Sequence, residues 1–278
     1  MGVVATVWYY ALAVIGGLLS IAALLARKRP GITDAAENVD NLYGKLYADV
    51  KHERRLVDES LIVEYGLDPN FYTTTTTALQ ALGFRRMADY VNCHLEKAAP
   101  WSKVVTRAFL SADGTVIGFV YNVRFDSSHG GSQTANTESP DFRTTEFETE
   151  LSDGTFVQTS NATSAGKTLE IPGISRRFFP RTLPPGDLLA NHHQHLLVTA
   201  PFRQVGVAPL VLKSFDDLCE ASDRRNQLKS RHRNSADFDM VAEIAKVAGK
   251  PLTVEQQEMA RQAADLHAQR TSSSADKQ

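Results

Sequence analysis

The chain has 278 residues, a formal net charge of -2 and 42% hydrophobic residues, which is enough length for an apolar anchor and one large folded domain. This near-neutral charge excludes a strongly basic nucleic-acid binder, so we do not expect nucleic acid among its partners. The two cysteines, Cys93 and Cys219, are too few for a disulfide framework or for a cysteine-based zinc site. We therefore expect free thiols and no cofactor.

Residues 3–26 form an apolar run without a charged side chain, and three cations follow it directly. At about 1.5 Å per residue, a helix of this length spans the roughly 30 Å hydrocarbon core of a bilayer. The cations predict that the C-terminal side is cytosolic, and aromatic rings near the start of the run favour the headgroup level. The anchor, residues 1–30, is expected to meet the headgroups through Trp8, Tyr9, Tyr10, Arg27, Lys28 and Arg29.

Two alternatives concern this anchor. A cleaved secretory signal is disfavoured, because the run lacks a basic start and exceeds the roughly 7–15 apolar residues of a signal peptide. The second alternative is self-association of the span, since Ala13 with Gly17 and Gly16 with Ser20 have the small-xxx-small spacing that lets two helices approach closely.

The first predicted element after the anchor is a helix at 34–50, whose apolar residues recur with the helical period of about 3.6. A turn at 67–70 and a threonine run then precede a short helix at 78–82, which Gly83 ends. The pattern of 84–95 fits either a strand or a helix.

Two Asp-Gly pairs, at 113–114 and 153–154, each lie between two strand-like runs, which is the strongest local signal for a β-hairpin. Simple pairing about the first turn sets Phe109 against Gly118. We predict two hairpins, formed by 103–110 with 115–125 and by 145–151 with 155–161, separated by a flexible polar loop at 126–144.

The C-terminal part is predicted to be mainly helical. Asp187 begins a helix that continues to Leu197, a strand follows at 207–212, and Ser214 with Asp217 has the spacing of a capping box. Two further helices are predicted at 236–248 and 253–269, before a polar tail.

These elements predict an α+β fold. A single transmembrane helix (1–30) precedes a cytosolic domain (31–250) with an antiparallel sheet of hairpins flanked by helices, and 251–278 form a C-terminal helix and a disordered tail.

His192 and His195 are spaced to share one face of the predicted helix, as two ligands of a metal ion would be. No third ligand is identified, so we favour the alternative in which Leu188, Leu189, Leu196 and Leu197 pack inward and the histidines form hydrogen bonds at a domain surface. We therefore predict no metal site.

Glu146, Glu148 and Glu150 alternate along one predicted strand and project from one face, about 7 Å apart. Such a row of carboxylates can hold a cation or act as paired acid and base. We favour the simpler interpretation, an amphipathic strand whose acidic side faces water.

Two basic clusters occur in the sequence. Arg176, Arg177 and Arg181 interleave with aromatic residues and are candidate contacts for anionic lipid, although solvated arginines beside buried phenylalanines explain them as well. The second cluster consists of Arg224, Arg225, Lys229, Arg231, His232 and Arg233.

The sequence contains none of the common glycine-rich nucleotide motifs, nucleophile elbows or Cys-x-x-Cys pairs. The preferred interpretation is a non-catalytic binding or scaffolding domain, whose partner is a protein or lipid at the inner membrane surface. The alternative is a membrane-tethered metal-dependent hydrolase that uses His192 and His195 with the carboxylates of Glu146, Glu148 and Glu150.

Overall fold

The computed structural model describes residues 52–98, 100, 102–125, 142–162, 171–199 and 206–235, together with a few residues between 253 and 265. No helix among these residues is long and apolar enough to cross a membrane. The predicted anchor lies outside the described residues, as do the helix at 34–50, most of the loop at 126–144, the helix at 236–248 and the tail.

A sheet of seven strands forms the centre of the described part, with the strands in chain order. The strands are β1 (Arg54–Val57), β2 (Arg85–Asn92), β3 (Ser102–Leu110), β4 (Ile117–Phe125), β5 (Phe142–Glu150), β6 (Phe156–Ser160) and β7 (Ile174–Phe178). The helices are α1 (Ser60–Glu64), α2 (Pro69–Ala81), α3 (Cys93–Ala98), α4 (Pro185–Val198) and α5 (Phe215–Arg233).

The α+β class is confirmed, but the sheet is mixed rather than purely antiparallel. Neighbouring strands are antiparallel up to β6, whereas β6 and β7 are parallel, with Phe156 opposite Ile174. A parallel pair requires a connection that returns the chain to the same end of the sheet. The connection at 161–173 is long enough to do so, unlike the short hairpin turns.

Both predicted hairpins are confirmed. In the β3–β4 pair, Phe109 lies opposite Gly118 and Leu110 opposite Ile117, as simple pairing about the turn predicts. In each turn the glycine has a positive φ, 76° at Gly114 and 80° at Gly154, and its amide donates to the carbonyl three residues earlier. The conformation that only glycine adopts freely therefore determines where each hairpin reverses.

The two turn glycines differ in their surroundings, and this difference predicts unequal effects of substitution. An added Cβ at Gly114 would lie 2.4 Å from the Leu212 backbone oxygen, whereas one at Gly154 would meet nothing within 4 Å. We expect Gly154→Ala to lower the free energy of unfolding by about 1–2 kcal/mol, from backbone strain alone. Gly114→Ala should cost a further ~1–3 kcal/mol, because the backbone must shift. Equal urea midpoints for the two variants would contradict this prediction.

The threonine run is helical, so the prediction of a short helix beginning at Ala78 is wrong. Helix α2 begins at Pro69, and the Asp68 side chain accepts hydrogen bonds from its first amides. The hydroxyls of Thr73 and Thr77 donate to the carbonyls of the residues four positions earlier. The hydroxyls are thus satisfied on the exposed side, and the packing of the other side of α2 on the sheet outweighs the weak helix propensity of threonine.

Three further outcomes concern short segments. The ambiguous stretch 84–95 divides into β2 and the start of α3. The predicted strand at 207–212 is not a regular strand. This segment lies beside the two hairpin turns, where the backbone amide of Leu210 donates to the Glu150 carbonyl and that of Leu212 donates to the Gly114 carbonyl. The capping box of Ser214 and Asp217 is confirmed at the start of α5.

Helices cover both faces of the sheet. Helices α2 and α4 cover one face, here called the front face, where Tyr72 and Leu188 pack with Phe147. Helix α5 covers the opposite face, here called the back face, where Leu218 packs against Ile117. Because strand side chains alternate, the odd-numbered residues of β5 point to the front face and the even-numbered ones to the back face.

Candidate functional site

The sheet separates the histidines from the glutamates that the sequence suggested as one hydrolytic site. His192 and His195 lie on α4 and contact side chains on the front face. Glu148 and Glu150 project from the back face, where they contact arginines of α5. The structure therefore does not bring the imidazoles and the carboxylates together.

His192 is fully buried, and hydroxyl groups contact both of its ring nitrogens. Its Nε2 lies 3.0 Å from Thr149 Oγ1, and its Nδ1 lies 3.1 Å from Thr159 Oγ1. The Thr149 hydroxyl donates its only proton to the Thr115 carbonyl, at 3.1 Å. Thr149 must therefore accept the bond from His192 Nε2–H, which leaves His192 Nδ1 to accept from Thr159.

The same reasoning assigns the protons of His195. Its Nδ1 lies 3.2 Å from Thr159 Oγ1, and its Nε2 lies 2.8 Å from Ser175 Oγ. Because Thr159 gives its proton to His192, it accepts from His195 Nδ1–H, and Ser175 donates to His195 Nε2. The result is one directed chain of neutral groups, here called the histidine chain: Ser175, His195, Thr159, His192 and Thr149.

Burial keeps both histidines neutral. It lowers the pKa of His192 to about 3, with a further contribution from His193, and lowers the pKa of His195 to about 4. The ring lone pair that would bind a metal ion is already occupied by a hydroxyl donor in each imidazole. Among the described residues, no group of three His, Cys, Asp or Glu side chains is arranged to hold a metal ion.

The interpretation of these histidines as surface groups is wrong. His192 and His195 point into the protein together with Leu188 and Leu196, whereas Leu197, expected inside, is 62% exposed. The buried side of α4 includes the histidines because the hydroxyls of Thr149 on β5 and Thr159 on β6 form hydrogen bonds with them. Sequence periodicity does not show that match, since the hydroxyl partners come from distant strands.

The glutamates of β5 form ion pairs with α5. Arg224 holds Glu150 with two hydrogen bonds, from Nε at 2.7 Å and from Nη2 at 2.8 Å. Arg225 Nη1 contacts Glu148 Oε2 and lies 3.7 Å from Glu146 Oε1. Such two-pronged and charge-assisted contacts are among the stronger polar interactions in proteins.

Gln158 on β6 connects this group to β7. Its Nε2 donates to Glu148 Oε2 at 2.6 Å and to Glu146 Oε1 at 3.3 Å, and its Oε1 accepts from Arg176 Nε at 2.9 Å. We call the whole group the back-face ionic cluster: Glu146, Glu148, Glu150, Gln158, Arg176, Arg224, Arg225 and Lys229.

The prediction that the acidic side of β5 faces water is wrong. Glu148 is 0% exposed and Glu150 is 3% exposed, because α5 lies over this part of the back face. Arg224 and Arg225, from the second basic cluster of the sequence, are the groups that neutralise these carboxylates. The two charge patterns are complementary, but about 75 residues separate them in the sequence, beyond the reach of a local signal.

Removal from water shifts the pKa values in the back-face ionic cluster. It raises the pKa of Glu146, an effect that Arg225 only partly offsets. Burial opposes the charged form of Arg225, but Glu148 and Glu146 outweigh it and raise the pKa of Arg225. Burial, with the nearby charges of Arg225 and Arg176, lowers the pKa of Lys229 well below its usual value.

The candidate lipid contacts do not form one basic patch. Arg176 and Arg177 are neighbours on β7 and project to opposite faces, and Arg176 is bonded to Gln158 within the back-face ionic cluster. Arg181 is half-buried, so that Arg177 is the exposed member of the three.

A third buried histidine lies beside β1. The Asn92 side chain accepts from the backbone amides of His94 and Leu95 through its oxygen, which directs its NH2 group to His52 Nδ1 at 3.0 Å. Burial, the neighbouring His94 and the charge of Arg54 lower the pKa of His52 to about 4. No motif or spacing in the sequence singles out His52. The nearby Cys93 and the more distant Cys219 are free thiols, as predicted.

No family model matches this chain, and it has no match among curated proteins or solved structures. Its function must therefore be inferred from its own residues.

Proposed function

We propose that this chain is a single-pass membrane protein whose folded part is a non-catalytic binding or scaffolding domain at the inner membrane surface. The support for the anchor is the apolar run at 3–26, with Arg27, Lys28 and Arg29 directly after it. The cations favour retention of the C-terminal side in the cytosol.

One observation carries the non-catalytic part of the proposal: the sheet lies between the histidines and the carboxylates of the alternative hydrolase. A metal-dependent hydrolase needs its ligands and its base around one open site. Here the imidazoles of His192 and His195 bond to hydroxyls, and Glu148 and Glu150 bond to arginines. The histidines therefore help to hold α4 on the front face of the sheet, and the glutamates help to hold α5 on the back face.

A protein partner is better supported than a lipid surface. Of the three arginines proposed for lipid contact, Arg176 and Arg181 are half-buried and Arg177 is exposed. In contrast, the edge strand β1 carries Leu56, which is 62% exposed, and the adjacent α1 carries Val63, which is 65% exposed. Exposed apolar side chains beside a strand edge are typical of protein interaction surfaces. Small residues in the span would also allow pairing of two copies.

The proposal predicts how the full chain sits in the membrane. A chain with an epitope tag after Gln278 should stay with the membrane in alkaline carbonate, and external protease should remove the tag only after the cells are permeabilised. A matched variant in which Arg27, Lys28 and Arg29 are Gln should show mixed orientation, because the charge bias is lost.

Release of the chain by carbonate, digestion of the tag in intact cells, or a mature N-terminus near Arg27 would overturn the anchored orientation. The detergent-purified full chain should also hold less than a stoichiometric amount of zinc. One equivalent of bound zinc would overturn the non-catalytic assignment.

A further inference from the structure

Strand β1 forms one edge of the sheet and has a neighbouring strand on only one side in the described part of the chain. The Cys93 amide donates to the Glu53 carbonyl, which marks these two residues as a hydrogen-bonded pair. Hydrogen-bonded and non-bonded pairs alternate between antiparallel strands, so the backbone groups of Arg55 point toward β2. The backbone groups of Arg54 and Leu56 therefore point away from β2, out of the sheet edge.

Leu56 is the most exposed part of this edge. Its outward-pointing amide and carbonyl have no hydrogen-bond partner among the described residues, and its side chain is 62% exposed. It lies opposite Tyr90 and so projects on the back-face side. Leu56 thus presents two unpaired backbone groups and an apolar side chain at the same place, which a further strand would cover together.

The charged side chains of β1 are already paired within the chain. Arg54 Nη2 bonds to Asp223 Oδ1 at 2.8 Å, and Arg55 Nη2 lies 3.3 Å from Glu96 Oε1. Charges on an edge strand commonly prevent it from pairing with another chain, but these two are neutralised by carboxylates. The opposite edge strand, β7, instead carries the exposed Arg177, which has no carboxylate partner among the described residues.

We propose that the β1 edge binds a second copy of this chain, whose β1 pairs antiparallel with the first about a two-fold axis at Leu56. The pairing joins two seven-stranded sheets into one continuous sheet. It rests on the proposed function, because it names the protein partner of the exposed edge. Confinement of both copies to one bilayer raises their effective concentration, an advantage that a soluble partner lacks.

The backbone pattern and the charges select this register. With the axis at Leu56, that residue forms a hydrogen-bonded pair with its own copy, and Arg54 lies opposite Asp58 of the other copy. An axis at Arg55 would also pair the outward backbone groups. However, it would place Arg55 opposite its own copy, and like charges directly opposite each other are destabilising. The axis at Leu56 instead sets two exposed leucine side chains against each other.

The first experiment measures the mass of the detergent-purified full chain by light scattering over a dilution series, with the detergent contribution subtracted. We expect particles of two chains of 30.6 kDa each. Leu56→Glu should raise the dissociation constant at least about tenfold, because two carboxylates then lie opposite each other. The matched control is Leu197→Glu on α4, where the leucine is equally exposed at 62%, and its dissociation constant should stay within about twofold of the parent value. All variants keep the apolar run at 3–26, so any pairing through it is common to them.

A mixture of two variants tests the position of the axis. Leu56→Lys alone should weaken the dimer, as Leu56→Glu does, because it again sets like charges against each other. Equal amounts of the two variants should form a mixed dimer at least about tenfold tighter than either variant with itself, since opposite charges then meet. Native mass spectrometry distinguishes the mixed pair from the two like pairs.

A parent chain that stays single throughout the dilution series, or a Leu56→Glu chain that dimerises as the parent does, would overturn pairing through β1. An equal loss in Leu197→Glu would overturn the place of the interface, and a mixture without recovery would overturn the axis at Leu56. Failure of the proposed function is read separately, by carbonate and external protease. A correctly oriented but single chain overturns the second copy alone, whereas a paired chain that carbonate releases overturns the anchor alone.

Discussion

Replacing Glu148 by Gln should lower the free energy of unfolding by about 3–5 kcal/mol, because it leaves the largely buried guanidinium of Arg225 without its main counter-charge. The remaining partner, Glu146, lies farther away, at 3.7 Å. The cost is that of an uncompensated buried charge rather than that of one lost hydrogen bond. Urea unfolding of the full chain in detergent, with unchanged m-values, measures it.

Two matched changes test whether burial is the cause. Glu150→Gln should cost less than Glu148→Gln, because the side chain of its partner Arg224 is 43% exposed and stays hydrated when unpaired. Glu53→Gln should change stability by less than ~0.5 kcal/mol, since Glu53 and Lys97 are both exposed. If Glu148→Gln costs no more than Glu53→Gln, the Arg225 contact does not hold α5 on the sheet.

The parts of the fold that the sequence predicts are those with local causes. An Asp-Gly turn fixes a reversal within a few residues, so the pairing of Phe109 with Gly118 follows from counting outward. The capping box of Ser214 and Asp217 likewise depends on groups three residues apart.

The parts that the sequence does not predict depend on contacts between distant segments. The sequence places the threonine run before a helix that begins at Ala78, yet Thr73 and Thr77 lie inside α2, because its opposite side packs against the sheet. The parallel pairing of β6 with β7 also lacks a local signal. It depends on where a longer connection returns the chain.

The polar clusters are the least predictable features. His192 and His195 were recognisable as a pair, but the hydroxyls of Thr149, Thr159 and Ser175 resemble ordinary strand residues in the sequence. The same is true of a buried pair on the front face, where Arg107 donates two hydrogen bonds to Asp89 on the neighbouring strand. Strand alternation tells which face a residue is on, but it does not tell what covers that face.

The stability of the described domain should fall as the pH is lowered from 7.5 to 5.5. His52, His192 and His195 have pKa values of about 4, 3 and 4 in the folded chain, below the usual 6.5. In this window they stay neutral when folded but take up protons when unfolded. Protons therefore favour the unfolded state, and each histidine contributes a loss of about 1.4 kcal/mol, or ~4 kcal/mol together.

The variant His192→Phe isolates one of these contributions. It should be less stable than the parent chain at pH 7.5, because Thr149 and Thr159 lose a buried partner. Its loss of stability between pH 7.5 and 5.5 should nevertheless be smaller by about 1.4 kcal/mol, since one proton-binding group of the unfolded chain is gone. Glu146 and Lys229 titrate equally in both proteins, and their effects cancel in the difference. Identical pH dependences for His192→Phe and the parent chain would mean that His192 is charged in the folded protein. The directed hydrogen bonds of the histidine chain would then be wrong.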